Sequence, residues 1–261
     1  MKKISVLGIT FLFAIFGTAS VFAQNSDDRW TGYYAGGYAG VTHARPGLNA
    51  STADVDTDNS YFARSSIAVI NQDGVQNVSS NGFTGGGQFG YNQQYGRIVV
   101  GAEADFGFQQ VKKAVSVTRT YPCCAGTSYT IDQEVKSNWI ATFRPRVGVT
   151  AGKALFYATG GLGLTDVRYN STFTDTFDDA LETGHIKKTR AGYVAGGGVE
   201  VKVAKQWSVK GEYLYSDFGR ISAKGSEFTT SEDTWPDTVF THAVKMKSHN
   251  IRFGVNYRFD F

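Results

Sequence analysis

From Asn250 onward the chain divides completely into two faces: Ile251, Phe253, Val255, Tyr257, Phe259 and Phe261 alternate with Asn250, Arg252, Gly254, Asn256, Arg258 and Asp260. A period of two is that of a β-strand, whose successive side chains point to opposite sides. A half-buried strand of a soluble protein also alternates, but here the apolar face is unbroken and mostly aromatic. Strands of about ten residues with apolar positions facing lipid and polar positions facing a lumen have this pattern.

The same division recurs upstream. Ile98, Val100, Ala102, Ala104, Phe106 and Phe108 oppose a face carrying Glu103, Asp105 and Gln109. Trp139, Ala141, Phe143, Pro145, Val147 and Val149 oppose one carrying Thr142, Arg144 and Arg146. Tyr193, Ala195, Gly197, Val199 and Val201 oppose one carrying Glu200 and Lys202. The pattern predicts strands over Trp30 to Ala44, Asn81 to Gln93, Arg97 to Gln110, Ser137 to Thr150, Ala154 to Tyr169, Thr189 to Val203, Trp207 to Phe218 and Ser248 to Phe261. No sustained helical period is found.

The connections alternate in length. Gln94 to Gly96, Ala151 to Lys153 and Ala204 to Gln206 read as tight turns, whereas Arg45 to Ser80, Val111 to Lys136, Asn170 to Lys188 and Gly219 to Lys247 read as long polar loops. After residue 23 no apolar run is long enough for a spanning helix, and the helix-free solution in lipid is a closed barrel. The expected fold is therefore all-β: an eight-stranded antiparallel transmembrane β-barrel with short periplasmic turns and long external loops. Gly is 31 of 261 residues, about 12% where roughly 7% is usual, and glycines on strands relieve crowding inside a tight barrel.

The amino end has a positive start at Lys2 and Lys3, an uncharged apolar stretch from Ile4 to Ser20, and Val21-Phe22-Ala23 at a cleavage site. It reads as a secretory signal peptide over 1–23, leaving 24–261 as the barrel domain. The full chain carries 26 Lys+Arg against 23 Asp+Glu; without Lys2 and Lys3 the balance is 24 − 23 = +1, which argues against nucleic acid as a partner.

The segments Trp30 to Gly36, Gly192 to Glu200 and Trp207 to Gly219, with the aromatic carboxyl end, resemble the small porin-family outer-membrane proteins of alpha-proteobacteria. These are related to opacity-type surface antigens and to the membrane domain of OmpA. The resemblance implies an abundant envelope protein of a Gram-negative outer membrane, in contact with outer-membrane lipid and lipopolysaccharide. It also implies that Tyr257, Phe259 and Phe261 form a signal read by the barrel-assembly machinery, and that host contact or haemin binding at external loops is a role of some relatives.

Eight strands enclose an interior that side chains can fill, whereas aqueous channels need about sixteen. Parity places Glu103, Asp105, Glu200 and Glu212 in that interior with Arg144, Arg146, Lys202, Lys210, Arg252 and Arg258. Charges so confined require mutual pairing. A salt-bridged plug with little or no conductance is expected, the alternative being a narrow ion path gated by exchange of partners.

No catalytic set, cofactor or metal site is expected. Ser248 and His249 are adjacent, so their side chains point to opposite faces and form no nucleophile–base pair. His43, His185, His242 and His249 lie at or near the external side and read as scattered, solvated loop histidines rather than as metal or haem ligands. Asp54, Asp56 and Asp58 alternate as in a calcium loop but lack its glycine and terminal glutamate. Adjacent Cys123 and Cys124 close no ordinary unstrained disulfide with each other, so they are reduced, strained or paired with another chain. Trp235 and Phe240 either anchor a partner or pack against the barrel mouth.

Overall fold

The structure, a computed structural model, describes residues 29–54 and 61–259. The leader expected over 1–23, together with Asp56, Asp58 and Phe261, lies outside the described residues. In chain order the elements are β1 (Gly32–Ala44), β2 (Gly47–Asp54), α1 (Arg64–Asp73), β3 (Val75–Asn77), β4 (Ser80–Tyr95), β5 (Ile98–Thr120) and β6 (Ser128–Ala151). They continue with β7 (Ala154–Asp175), β8 (Leu181–Lys202), β9 (Trp207–Lys224), β10 (Phe228–Thr229), β11 (Thr234–Trp235) and β12 (Thr238–Arg258).

Eight of these close a ring. β1 pairs with β4, β4 with β5, and so on antiparallel through β6, β7, β8 and β9 to β12. β12 returns to β1 with Tyr34 opposite Arg258 and Ala44 opposite Ser248, so the ring of these strands closes on itself. The expected eight-stranded antiparallel barrel is the observed one. Its tight turns fall where they were expected, with Gly96 and Gly152 at φ +58°, a left-handed conformation that glycine adopts without penalty.

The four long polar loops require correction. Val111 to Lys136 is mostly strand, β5 running to Thr120 and β6 starting at Ser128, and Asn170 to Lys188 is mostly the ends of β7 and β8. Gly219 to Lys247 contains the end of β9, the short β10 and β11, and the start of β12. Arg45 to Ser80 holds β2, α1 and β3, so a helix is present after all. It is short, and its buried residues Ser66, Ile70 and Asp73 recur at helical spacing over barely two turns.

These extensions look polar in sequence because the barrel changes solvent along its axis. Nearer the turns the outward residues are Phe106, Phe143, Leu162, Phe253 and others of their kind, all exposed. Farther up, the outward residues are Ser116, Thr118, Asp132, Thr172 and Thr183, while Val111, Val135, Val167, Ile186, Ile221 and Val244 point inward and are buried. A second apolar cluster caps the first, with Phe62, Ile70, Tyr121, Tyr129, Ile131, Phe173, Phe228 and Phe240 buried together. Phe240 belongs to that core, and half-buried Trp235 packs against it, so both seal the mouth rather than reach outward. Cys123 and Cys124, at the β5–β6 tip, are bonded to each other.

Two irregularities set the inward faces. On β6, Asn138 and Trp139 form a bulge between Lys136 and Ile140, so odd positions point inward above it and even positions below. The Asp166 carboxylate accepts both freed backbone N–H groups, from Asn138 at 2.7 Å and Trp139 at 3.1 Å. On β9 the register shifts at Gly219, whose φ is +71°. β8 and β9 pair only as far as Tyr193 opposite Asp217; above that they part and are tied again where Ser226 N–H donates to the Thr183 carbonyl.

Candidate functional site in the barrel lumen

In the membrane-facing part, the lumen is crossed by one ionic network. Glu103 and Arg144 are directly opposed on β5 and β6, and both point inward because their parity opposes the apolar face. The Arg144 guanidinium, fully buried, donates through Nη2 to Glu103 Oε1 at 2.8 Å and Asp105 Oδ2 at 2.9 Å, and through Nε to Thr142 Oγ1 at 2.9 Å. Its Nη1 lies 3.2 Å from Glu212 Oε1 on β9, across the bore. Lys210 is directly opposed to Glu200, yet its ammonium reaches the other wall and binds both oxygens of Glu103, at 2.8 and 2.9 Å.

Arg146 Nη1 donates to Glu200 Oε2 at 3.2 Å and its Nε to Asn92 Oδ1 at 2.8 Å, the guanidinium lying 4.7 Å from the Tyr34 ring and 5.1 Å from that of Tyr157. Arg252 Nη1 donates to Asp105 Oδ1 at 3.2 Å and sits 4.3 Å from the Tyr38 ring. Four carboxylates, Glu103, Asp105, Glu200 and Glu212, thus meet four cations, Arg144, Arg146, Lys210 and Arg252. Taking such charges out of water costs several kcal/mol per ion, recovered only with good geometry and added hydrogen bonds. Tyrosines supply some of those bonds: Tyr34 donates to Glu103 at 2.9 Å and Tyr157 to Glu212 at 3.0 Å.

The other two basic residues expected inside sit at the periplasmic rim. Lys202 Nζ donates to the Arg29 carbonyl at 2.7 Å and lies 5.0 Å from the Trp30 ring, and Arg258 donates to the same carbonyl and to that of Lys205. A cavity of about 20 Å³ lined by Trp30, Tyr34, Asn92, Glu200 and Asn256 lies there, room for one or two waters. Tyr257 donates to Gln206 Oε1 at 3.0 Å, and its ring contacts Trp207 and Phe259.

Reading charges alone missed Tyr34, Tyr38 and Tyr157. The available signal was glycine at inward positions of nearby strands: a Cβ on Gly90 would overlap the Tyr34 hydroxyl, and one on Gly107 that of Tyr38. Small residues on one wall make room for rings from another.

Above the network the bore is shut a second time by α1. Asp73, at its carboxyl end, accepts from Tyr129 OH at 2.7 Å and pairs with Arg119 at 2.6 Å. Asp175 accepts from the hydroxyls of Tyr61 and Tyr121, both at 2.8 Å. Burial, then the donated bond to a carboxylate, pushes the phenols of Tyr61, Tyr121 and Tyr129 well above the usual tyrosine range.

The histidines do not converge as one set. His43 and His249 are directly opposed on β1 and β12 and point outward, His249 meeting Tyr213 OH at 2.7 Å. Neither of the others is in a loop: His185 is exposed on β8, and His242, on β12, is not solvated but buried against Glu182, 2.9 Å from its Oε1, because its position on β12 points inward. Ser248 is buried while His249 faces out, the opposition expected from their adjacency.

Comparison with known proteins decides the family. The family described as outer membrane protein beta-barrel domain matches residues 9–259. The chain belongs to this family. The 31 kDa outer-membrane immunogenic protein of Brucella melitensis is 34% identical over 236 residues, covering 88% of this chain and 84% of that protein. The 22 kDa outer membrane protein of Rhizobium leguminosarum bv. viciae is 32% identical over 137 residues, covering 52% and 53%. The crystal structure of OprG from Pseudomonas aeruginosa aligns with a TM-score of 0.48 at 12% identity, covering 88% of this chain and 97% of that one. This outer-membrane β-barrel protein therefore resides in the outer membrane of a Gram-negative bacterium. Its curated relatives carry the names of outer-membrane proteins rather than of enzymes.

Proposed function

We propose that this barrel is a closed, surface-exposed structural protein of the outer membrane, which stiffens the envelope and presents its folded outer half for contact with the surroundings. The observation that carries the reading is the neutral lumen network: Arg144 is fully buried while it joins three carboxylates from β5 and β9. Opposite walls are stitched together at mid-membrane, and the apolar clusters above fill the same bore. A gated ion path would need these pairs to separate inside a water-poor interior, which removing a single partner shows to be costly. The immunogenic outer-membrane relatives support the surface-exposed part of the reading.

The test is conductance of the purified full chain in planar bilayers at neutral pH. Expected are small or absent steps. A steady, large conductance would overturn the closed-scaffold reading in favour of a conducting porin.

A further inference from the structure

Beyond the apolar belt, four neighbouring strands each place a cation on the outer wall in direct register. Lys112 is directly opposite Lys136, Lys136 opposite Arg168, and Arg168 opposite Lys187. Beyond the β8–β9 seam the pattern resumes with Arg220 directly opposite Lys245. All six are at the surface, Lys136 and Arg168 partly exposed and the others exposed. Like charges directly opposed across a ladder are destabilising, and strands lie only about 4.8 Å apart. A row of four in unbroken register is thus opposed by the sheet's own electrostatics.

Acidic neighbours offset it only in part. Glu134 pairs with both Lys112 and Lys136, and Asp166 with Arg168 at 3.3 Å. Among the described residues, no carboxylate lies within salt-bridge distance of Lys187, Arg220 or Lys245. Height is the second observation. On β5 the last outward aromatic is Phe108 and the cation is Lys112; on β7 the last outward apolar residue is Leu164 and the cation is Arg168. On both strands the cation follows the last such residue by four positions. The exposed acids lie farther out, with Asp179, Glu227, Glu232 and Asp233 at the loop tips, so an anionic polymer arriving from the medium would meet negative charge first.

We propose that this cation row binds the phosphorylated headgroups of the glycolipid in the outer leaflet, lipid A phosphates being the ligand group. The neighbouring apolar belt takes the acyl chains of the same molecules, and the phosphates relieve repulsion within the row. The inference rests on the outer-membrane placement of the belt and not on the closed lumen, so an open pore would leave it standing.

The test uses the full chain in detergent micelles, titrated with diphosphorylated lipid A and with the same lipid stripped of its phosphates, bound lipid being counted by native mass spectrometry. The unaltered protein is expected to prefer the phosphorylated lipid. The triple variant Lys136→Gln, Arg168→Gln, Lys187→Gln should weaken that lipid's binding on the order of 100-fold, roughly fivefold per removed charge. It should leave the dephosphorylated lipid unchanged. Lys153→Gln, in a periplasmic turn, serves as a control expected to change neither. Should the triple variant fail to fold, Lys187→Gln and Lys245→Gln singly give the same reading at about fivefold each. Equal binding of the two lipids, or undiminished preference in folded variants, would overturn the proposal. So would tighter, row-dependent binding of a soluble sulfated polysaccharide, which would assign the row to a polymer ligand; competition by inorganic phosphate alone at equal affinity would reduce it to free-anion binding and overturn it too.

Discussion

The membrane-facing and outer parts of this barrel share the same eight strands yet are opposites in section. Near the turns the wall is apolar outside and ionic inside; beyond the row from Lys112 to Lys187 it is polar outside and apolar inside. The backbone ladder is common to both, so hydrogen bonding does not distinguish them. What differs is the solvent on the outer surface. Where lipid is outside, burial of apolar side chains inside gains nothing over exposing them to acyl chains, and a paired ionic core sets the register. Where water is outside, the hydrophobic effect again favours an apolar core.

The largest expected effect comes from breaking the ionic half. Arg144→Ala leaves Glu103, Asp105 and Glu212 without their shared cation and should cost about 3–5 kcal/mol. Urea unfolding of the protein in lipid vesicles measures it; a loss under about 1 kcal/mol would remove the network from any structural role.

Substituting the same residue type into the outer wall of each half sharpens the contrast. Phe253→Lys, in the belt, should cost about 2–4 kcal/mol near the bilayer midplane. Thr172→Lys, outward on the same barrel's outer half, should stay within about 0.5 kcal/mol. Similar costs at the two sites would mean that both face one solvent.

That contrast also explains what could be read from the chain itself. The belt was legible because its outward residues are apolar on strand after strand, and the lumen charges followed by parity. The outer half was misread as loops because its inward residues Val111, Val135 and Ile186 are spaced by polar ones, in a pattern that looks hydrophilic once a greasy outer face is the criterion. The bulges at Asn138–Trp139 and Gly219 add to this, since each resets which parity points inward, so one alternating frame cannot be carried through β6 or β9. The seat of α1 depended on Asp73 meeting Tyr129 and Arg119, residues distant in sequence and brought together only by the closed ring.

A smaller effect is expected at high pH in the outer half. The phenols of Tyr61, Tyr121 and Tyr129 are raised above their unfolded value of about 10. Their contribution is therefore complete below about pH 10 and declines as pH rises toward the native values. Tyrosinate absorbance should show a late-titrating set, accompanied by new protease cleavage between β5 and β8 while the belt stays folded. A single titration at the ordinary tyrosine pH, without cleavage, would count against the sealed mouth.

The two-solvent barrel is tested most directly by cysteine labelling on intact cells, in a background carrying Cys123→Ser and Cys124→Ser. Thr172→Cys and Thr183→Cys should react with a membrane-impermeant maleimide, while Leu162→Cys and Phe253→Cys, outward on the same wall, should stay protected until the membrane is dissolved. Reaction at 162 or 253 in intact cells, or protection at 172 and 183, would contradict it.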